Sequence, residues 1–162
     1  RLVGKPVELK IAMAAQYTGP LIGASGSVMH ALNDKTKTRV RFDNEGEIRM
    51  GHITGGLRNS VVAFHCMNFS AIKLARATGQ MVMPHTDAYA GLFLDVSQAN
   101  IILKTGGGLA GLQDKFKDIR IGLSAVEGST KLVRIDFAGR KLEKVTLCAC
   151  YVIGRVFLYN AA

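Results

Sequence analysis

Several residues in this chain have side chains able to act on a ligand, and their spacing narrows what they could do. His65 lies inside a long apolar segment. It can serve as a base or sit as a core histidine with one satisfied hydrogen bond, the commoner role for such a residue. Asn59 and Ser60, at the start of that segment, can orient a water or a carbonyl, or bond locally near a helix start. Thr105-Gly106-Gly107-Gly108, followed by Leu109-Ala110-Gly111, has the glycine content of a phosphate cradle. It lacks the Gly-Lys-Ser/Thr ending of a P-loop and the strand-to-helix setting of a dinucleotide fingerprint, which leaves a flexible connection. Cys66, Cys148 and Cys150 have no metal-ligand spacing and read as free thiols. Lys37, Arg39 and Arg41, with Arg134, Arg140, Lys141 and Lys144, are able to meet CoA phosphates or RNA, or to form a solvated basic face. No RNA-binding aromatic signature goes with them: tryptophan is absent and the 4 tyrosines are scattered.

The 162 residues, 48% hydrophobic and 20% charged, fit one folded domain and exclude a disordered or fibrous chain. No apolar run reaches the length of a membrane-spanning helix. With 21 Lys and Arg against 12 Asp and Glu the formal charge is +9, which favours anionic partners. Such a balance, with unpaired thiols, fits a reducing compartment, the mitochondrial matrix or the cytoplasm. The chain begins at Arg1, as expected after removal of a targeting segment or in a trimmed chain.

The elements that must position these residues follow from periodicity. Pro6 to Gln16 suggests a short helix, and Gly23-Ala24-Ser25-Gly26 breaks the chain after it. Ser27–Asn33 and Lys37–Phe42 read as strands; in the second, Thr38, Val40 and Phe42 take one face and Lys37, Arg39 and Arg41 the other. Glu47 to Met50 is a short stretch. Leu57 to Thr78, free of Gly and Pro and closed by Gly79, predicts a helix, and its apolar residues on nearly all sides predict burial. A polar connection, Gln80 to Ala88, precedes strand-like segments at Tyr89–Leu103, with a bulge near Ser97-Gln98, at Ile119–Val126, Lys131–Phe137 and Glu143–Phe157. Glu127-Gly128-Ser129 and Ala138-Gly139-Arg140 have hairpin length. Strands, one long helix, then strands again make an α+β domain.

This order, with Gly51-His52-Ile53-Thr54-Gly55-Gly56-Leu57 at the mouth of the helix, resembles the hotdog superfamily and its acyl-CoA thioesterase branch over residues 23 to 157. Those thioesterases carry an Asn, a Gly and then His-Gly-Gly directly before the central helix. Here the glycine pair matches, His52 falls two places early and Thr54 holds the histidine's place. The resemblance implies an α+β hotdog fold, an antiparallel sheet wrapped around one long central helix, with residues 1–22 as an N-terminal extension and 23–162 as the domain. It implies a site in which Gly55, Gly56 and Leu57 offer backbone donors to a thioester carbonyl, with Asn59 and His65 as further catalytic candidates. His52, Thr54 and Ser60 would line the substrate. Ala63 stands where such thioesterases carry Asp or Glu, and no acidic residue occurs from Leu57 to Gly79. Two functions therefore stand as expectations: an acyl thioester binder or hydrolase, and an inactive hotdog subunit of a large mitochondrial assembly, a ribosome or respiratory complex. The expected partners are an acyl-CoA, a homodimeric or heterodimeric hotdog chain, or an RNA–protein assembly. No cofactor is implied.

Overall fold

In the first strand, β1 (Pro6–Ala14), Val7, Leu9, Ile11 and Met13 are buried while Glu8 is exposed and Lys10 half-buried. That period of two is a strand's, so the short helix expected at Pro6 to Gln16 gives way to β1, with helix α1 (Ala15–Ile22) beginning where it ends. The computed structural model describes residues 5–79 and 87–158. Arg1 and most of the expected Gln80–Ala88 connection lie outside them.

The chain divides into two units, Arg1–Val82 and Met83–Ala162. In unit 1, α1 is followed by the turn Gly23–Gly26, helix α2 (Ser27–Thr36), strands β2 (Arg39–Phe42) and β3 (Ile48–Gly56), and helix α3 (Leu57–Ala77). Its strands lie in the order β2-β3-β1, all antiparallel, with Leu9 opposite Ile53 and Val40 opposite Ile53 on the other side. The boundary expected between residues 22 and 23 falls inside this unit, directly after α1. Ser27–Asn33, expected as a strand, is helical. Met29 and Thr36 are buried and Leu32 and Asn33 half-buried, a helical spacing opened by Gly26 in the left-handed region at φ 75.

Helix α3 is where the wrapped-helix picture fails. Ser60, Ala63, Phe64, Met67, Asn68, Ala71, Ile72 and Ala75 are buried, whereas Val62 and Phe69 are 45% and 55% exposed. Spacings of three and four give one stripe, the pattern of a helix lying on one sheet face and wet on the other. Each fully buried large residue of that stripe, Phe64 and Met67 among them, contributes about 1.5–3 kcal/mol.

Unit 2 repeats the order: β4 (Ala88–Asp95), α4 (Val96–Lys104), α5 (Gly108–Lys115), β5 (Arg120–Ala125), β6 (Leu132–Gly139) and α6 (Leu142–Leu158). Its strands lie in the order β4-β6-β5, antiparallel throughout. The hairpin at Glu127-Gly128-Ser129 joins β5 and β6, with Gly128 at φ 80. Two strand expectations are corrected here. Tyr89–Leu103 is strand only to Asp95, because Asp95 and Gln98 form a reciprocal capping box that starts α4, with the Asp95 N–H donating to Gln98 Oε1 at 2.9 Å. Glu143–Phe157 is helix α6, in which Val145, Cys148, Ala149, Val152, Ile153 and Val156 form the buried stripe. Ala138-Gly139-Arg140 accordingly leads from β6 into a helix and not into a hairpin. Cys148 and Cys150, two apart on a helix, point in different directions; all three cysteines are free.

The two units share one architecture, three antiparallel strands with helices packed against one face, and neither wraps a sheet around a central helix. The hotdog fold is thereby excluded. The expected homodimer or heterodimer of hotdog chains and the inactive hotdog subunit lose their structural basis with it.

Candidate nucleic-acid interface

The residues expected around the glycine pair are placed as follows. Gly55 and Gly56 end β3, opposite Val7 and Pro6. A Cβ on Gly55 would lie 3.0 Å from Thr38 Cγ2 and 3.2 Å from the Lys37 carbonyl, so the missing side chain serves close packing of neighbouring chain. Leu57 is the first residue of α3 and half-buried; Ser60 is buried, and its hydroxyl has no partner among the described residues. Asn59 and His65 are exposed on the solvent side of α3, and Ala63 is in its buried stripe. His52 and Thr54 point from β3 to the sheet face opposite the core. The structure brings these last two together on one strand face and the others to separate surfaces.

His52 is part of a charged network. Its Nδ1 lies 3.3 Å from Glu8 Oε2 and its Nε2 3.1 Å from Asp43 Oδ1, while Arg41 donates to the same Asp43 oxygen at 3.2 Å. Lys10 and Arg41 flank His52 in register on β1 and β2. The network ties the three strands of unit 1 together across the face that α3 leaves open.

A different constellation emerges on the other side of β2. The turn Gly23-Ala24-Ser25-Gly26 separates two helices and turns through left-handed backbone at Gly23 (φ 80), Ser25 (φ 53) and Gly26 (φ 75). Gly23 is demanded by packing, since a Cβ there would collide with Val28. At Gly26 a Cβ would meet nothing within 4 Å, so the bare backbone there faces open space. Ala24 and Ser25 are exposed. Beside the turn is a cleft of about 360 Å³ whose apolar floor is Ile22, Met29, Val40 and Phe42 and whose rim is His30, Asn33 and Arg41. The Asn33 side-chain oxygen is buried without a hydrogen-bond partner among the described residues, and His30 Nε2 lies 3.3 Å from Asp34. Lys37 and Arg39, exposed next to the cleft, add positive charge. Unit 1 holds 11 of the 21 Lys and Arg but only 5 of the 12 Asp and Glu, so it carries the larger share of the chain's charge excess.

Sequence reasoning treated Gly23–Gly26 as a simple break and the segment after it as a strand, and so missed the cleft. The available signal was a Gly-x-x-Gly followed by Met29, Leu32 and Thr36 at helical spacing.

In unit 2 the thiols and the buried phenol have structural settings. Burial pushes the Cys148 thiol up to about 12 and raises that of Cys150, which makes both poor nucleophiles at neutral pH. Tyr89 donates to Asp136, and Arg134 Nε holds the other carboxylate oxygen at 3.1 Å. Burial first, then the Asp136 charge, raises the Tyr89 phenol well above its ordinary value. Among the described residues no group of His, Cys, Asp and Glu could hold a metal, and no helix is long and apolar enough to cross a membrane.

No known protein family and no curated protein matches the sequence. Among solved structures, the chain is similar to one from the complex of a/eIF2alpha, aDim2p and rRNA from Pyrococcus horikoshii OT3, with 13% identity, 97% of this chain and 89% of that chain covered, and a TM-score of 0.38. It is similar also to a structure of KH domains, at 12% identity, 90% and 40% coverage and a TM-score of 0.36. Dim2p from the same archaeon matches at 15% identity, 93% and 90% coverage and a TM-score of 0.33. The fold itself, in which α3 lies on one sheet face and is wet on the other, corrects the expectation of a hotdog acyl thioester binder or hydrolase.

Proposed function

We propose that unit 1 is a KH-type module that binds single-stranded RNA through the Gly23–Gly26 turn and the cleft beside it. The observation that carries the reading is that turn, a Gly-x-x-Gly between two helices with left-handed backbone facing open space. A Gly-x-x-Gly loop that clamps the backbone of four nucleotides is the device of KH modules. Here the main chain at Ser25 and Gly26 lies open to a phosphate, and the Ser25 hydroxyl adds a donor.

The cleft then takes the bases. Ile22, Met29, Val40 and Phe42 present an apolar floor for base faces, while Asn33 offers its free acceptor to a base amino group and Arg41 and His30 offer donors to base edges. Lys37, Arg39 and Arg41 supply the electrostatic attraction that makes strand binding salt-dependent. Single-stranded targets suit this geometry because only unpaired bases can leave the stack and lay their faces on the floor of the cleft.

The test is fluorescence anisotropy with short single-stranded RNA oligonucleotides of mixed sequence. Saturable binding that weakens with salt is expected, and Gly26→Asp, which places a carboxylate beside the phosphate path, should lower affinity by about tenfold or more, roughly 1.4 kcal/mol. Equal affinity in the wild type and the Gly26→Asp protein would sink the assignment.

A further inference from the structure

Unit 2 has its own concentration of positive charge, away from its helix-helix turn. A cleft of about 460 Å³ is lined by Lys117, Arg120, Arg140, Lys141 and Lys144, with Asp118 as its sole carboxylate. These cations come from two stretches of chain distant in sequence: the passage from α5 into β5, and that from β6 into the first turn of α6. A solvated basic face spreads its charges along one element; here they converge on a concavity.

Two features hold them there. The Gln113 side chain donates from Nε2 to the Phe116 carbonyl at 3.2 Å and to the Ile119 carbonyl, and its Oε1 accepts from the Ile121 N–H at 3.3 Å. The segment carrying Lys117 and Arg120 is thus pinned at both ends. Lys144, in the first turn of α6, donates to Asp118 Oδ2 at 2.9 Å, which brings the start of α6 back against the same segment. The Lys144 hydrogen bond and charge hold the Asp118 carboxyl below its ordinary value, so Asp118 stays ionised and offsets about one of the five cations.

The sequence origin of the cleft is a short insertion. In unit 1, β3 ends at Gly56 and α3 starts at Leu57 with nothing between, whereas in unit 2 Arg140 and Lys141 separate Gly139 from Leu142. Both are exposed, and both line the cleft. The helix N-terminus that follows them adds the positive end of its dipole to the same place.

We infer that this cleft binds the phosphodiester backbone of a single-stranded RNA, as a second phosphate site of the chain. The inference rests on the reading of unit 1 as an RNA-binding module. The ligand chemistry is a phosphate group facing several guanidinium and ammonium groups, with bidentate pairing available to Arg140.

The experiment measures affinity of the full chain for a single-stranded RNA oligonucleotide between about 50 and 200 mM salt. The Arg140→Glu/Lys141→Glu protein is expected to bind about tenfold or more weakly, and loss of two phosphate contacts should flatten the slope of log affinity against log salt by about 1.4. The neutral pair Arg140→Gln/Lys141→Gln, with folding checked by circular dichroism, should show the same flattening with a smaller loss of affinity. Amide resonances of Gly139 to Lys144 should shift on RNA addition. If both double variants keep wild-type affinity and slope while Gly26→Asp abolishes binding, the cleft is overturned as an RNA site and the unit 1 reading stands. If Gly26→Asp is silent and the double variants abolish binding, the unit 1 reading fails and the cleft holds. If RNA does not bind but inorganic phosphate shifts the Gly139 to Lys144 amides, the cleft takes free phosphate and the RNA assignment is overturned.

Discussion

Units 1 and 2 are built on one plan and carry their charge in different places. The same number of residues separates Ala15 from Val96, Ser27 from Gly108 and Arg39 from Arg120, each pair opening equivalent elements. In this register Ser25 (φ 53) corresponds to Gly106 (φ 59) and Gly26 (φ 75) to Gly107 (φ 84), so the left-handed turn is kept. Apolar groove residues are kept too, with Leu103, Ala110, Ile121 and Leu123 standing for Ile22, Met29, Val40 and Phe42. The polar rim is not. His30, Asn33 and Arg41 correspond to Gly111, Asp114 and Gly122, which removes a donor pair and adds a negative charge. Arg155, moreover, donates to Thr105 in the turn of unit 2, occupying that hydroxyl. A backbone plan preserved by buried residues leaves surface chemistry free to diverge. Unit 1 concentrates it beside the turn, and unit 2 between β6 and α6.

The largest expected effect tests the plan itself. Phe64→Ala, which removes a fully buried ring from α3, should cost about 3–5 kcal/mol in urea denaturation, whereas Phe69→Ala on the exposed side should change stability by less than about 0.5 kcal/mol. Similar losses from the two would restore a helix buried all round. Next comes the contrast in binding. Ser25→Asp and Gly106→Asp place the same carboxylate at equivalent backbone, and a Cβ on Gly106 meets nothing within 4 Å. Ser25→Asp should weaken RNA binding by about tenfold, and Gly106→Asp by less than about twofold, both read by anisotropy. Equal losses would make the two turns functional equals.

A smaller difference lies in how the first helix of each unit starts. Asp95 caps α4, while its counterpart Ala14 gives α1 no side-chain cap. Asp95→Ala should therefore cost about 1 kcal/mol and Ala14→Asp should stabilise by up to about 1 kcal/mol, as measured by thermal denaturation. The smallest effect at neutral pH concerns Tyr89. Its folded phenol titrates above the ordinary value, so the unfolded chain ionises first as pH rises. Stability is fully present below pH of about 10 and falls above it, and Tyr89→Phe should flatten that alkaline decline. An unchanged alkaline slope in Tyr89→Phe would place the decline elsewhere.

Two features of unit 1 were legible in the sequence. The alternation of Thr38, Val40 and Phe42 with Arg39 and Arg41 sets the two faces of β2, and Gly79 marks the end of α3. The β5–β6 hairpin is likewise marked by Glu127-Gly128-Ser129. By contrast, α6 was misread because Val145, Leu147, Ala149, Tyr151 and Ile153 alternate as well as any strand, and Leu147 and Tyr151 belong to its exposed side. Alternate positions in an apolar-rich helix satisfy both periods at once. In α3 the helix was legible, and it looked buried on every side because Val62 and Phe69 stand on its exposed side.

The repeat itself was hidden. From Pro6 to Phe42, aligned with Asp87 to Leu123, only Gly26 with Gly107 and Arg39 with Arg120 are identical. The core positions, such as Leu9 with Ala90, Ile11 with Leu92 and Val40 with Ile121, keep apolar character without keeping residue type, which suffices for the same packing. What the sequence alone determined is therefore local: the two faces of β2, the span of α3, turn glycines, and an excess of positive charge suited to anionic partners. Tertiary structure decided which apolar residues face a sheet and which face water, and which cations meet. Lys117 and Lys144 are separated by a whole hairpin in the chain and share a cleft only because β5 and β6 pair antiparallel and α6 packs back on their unit. Periodicity is a property of neighbours along the chain, whereas a binding site is made by neighbours in space.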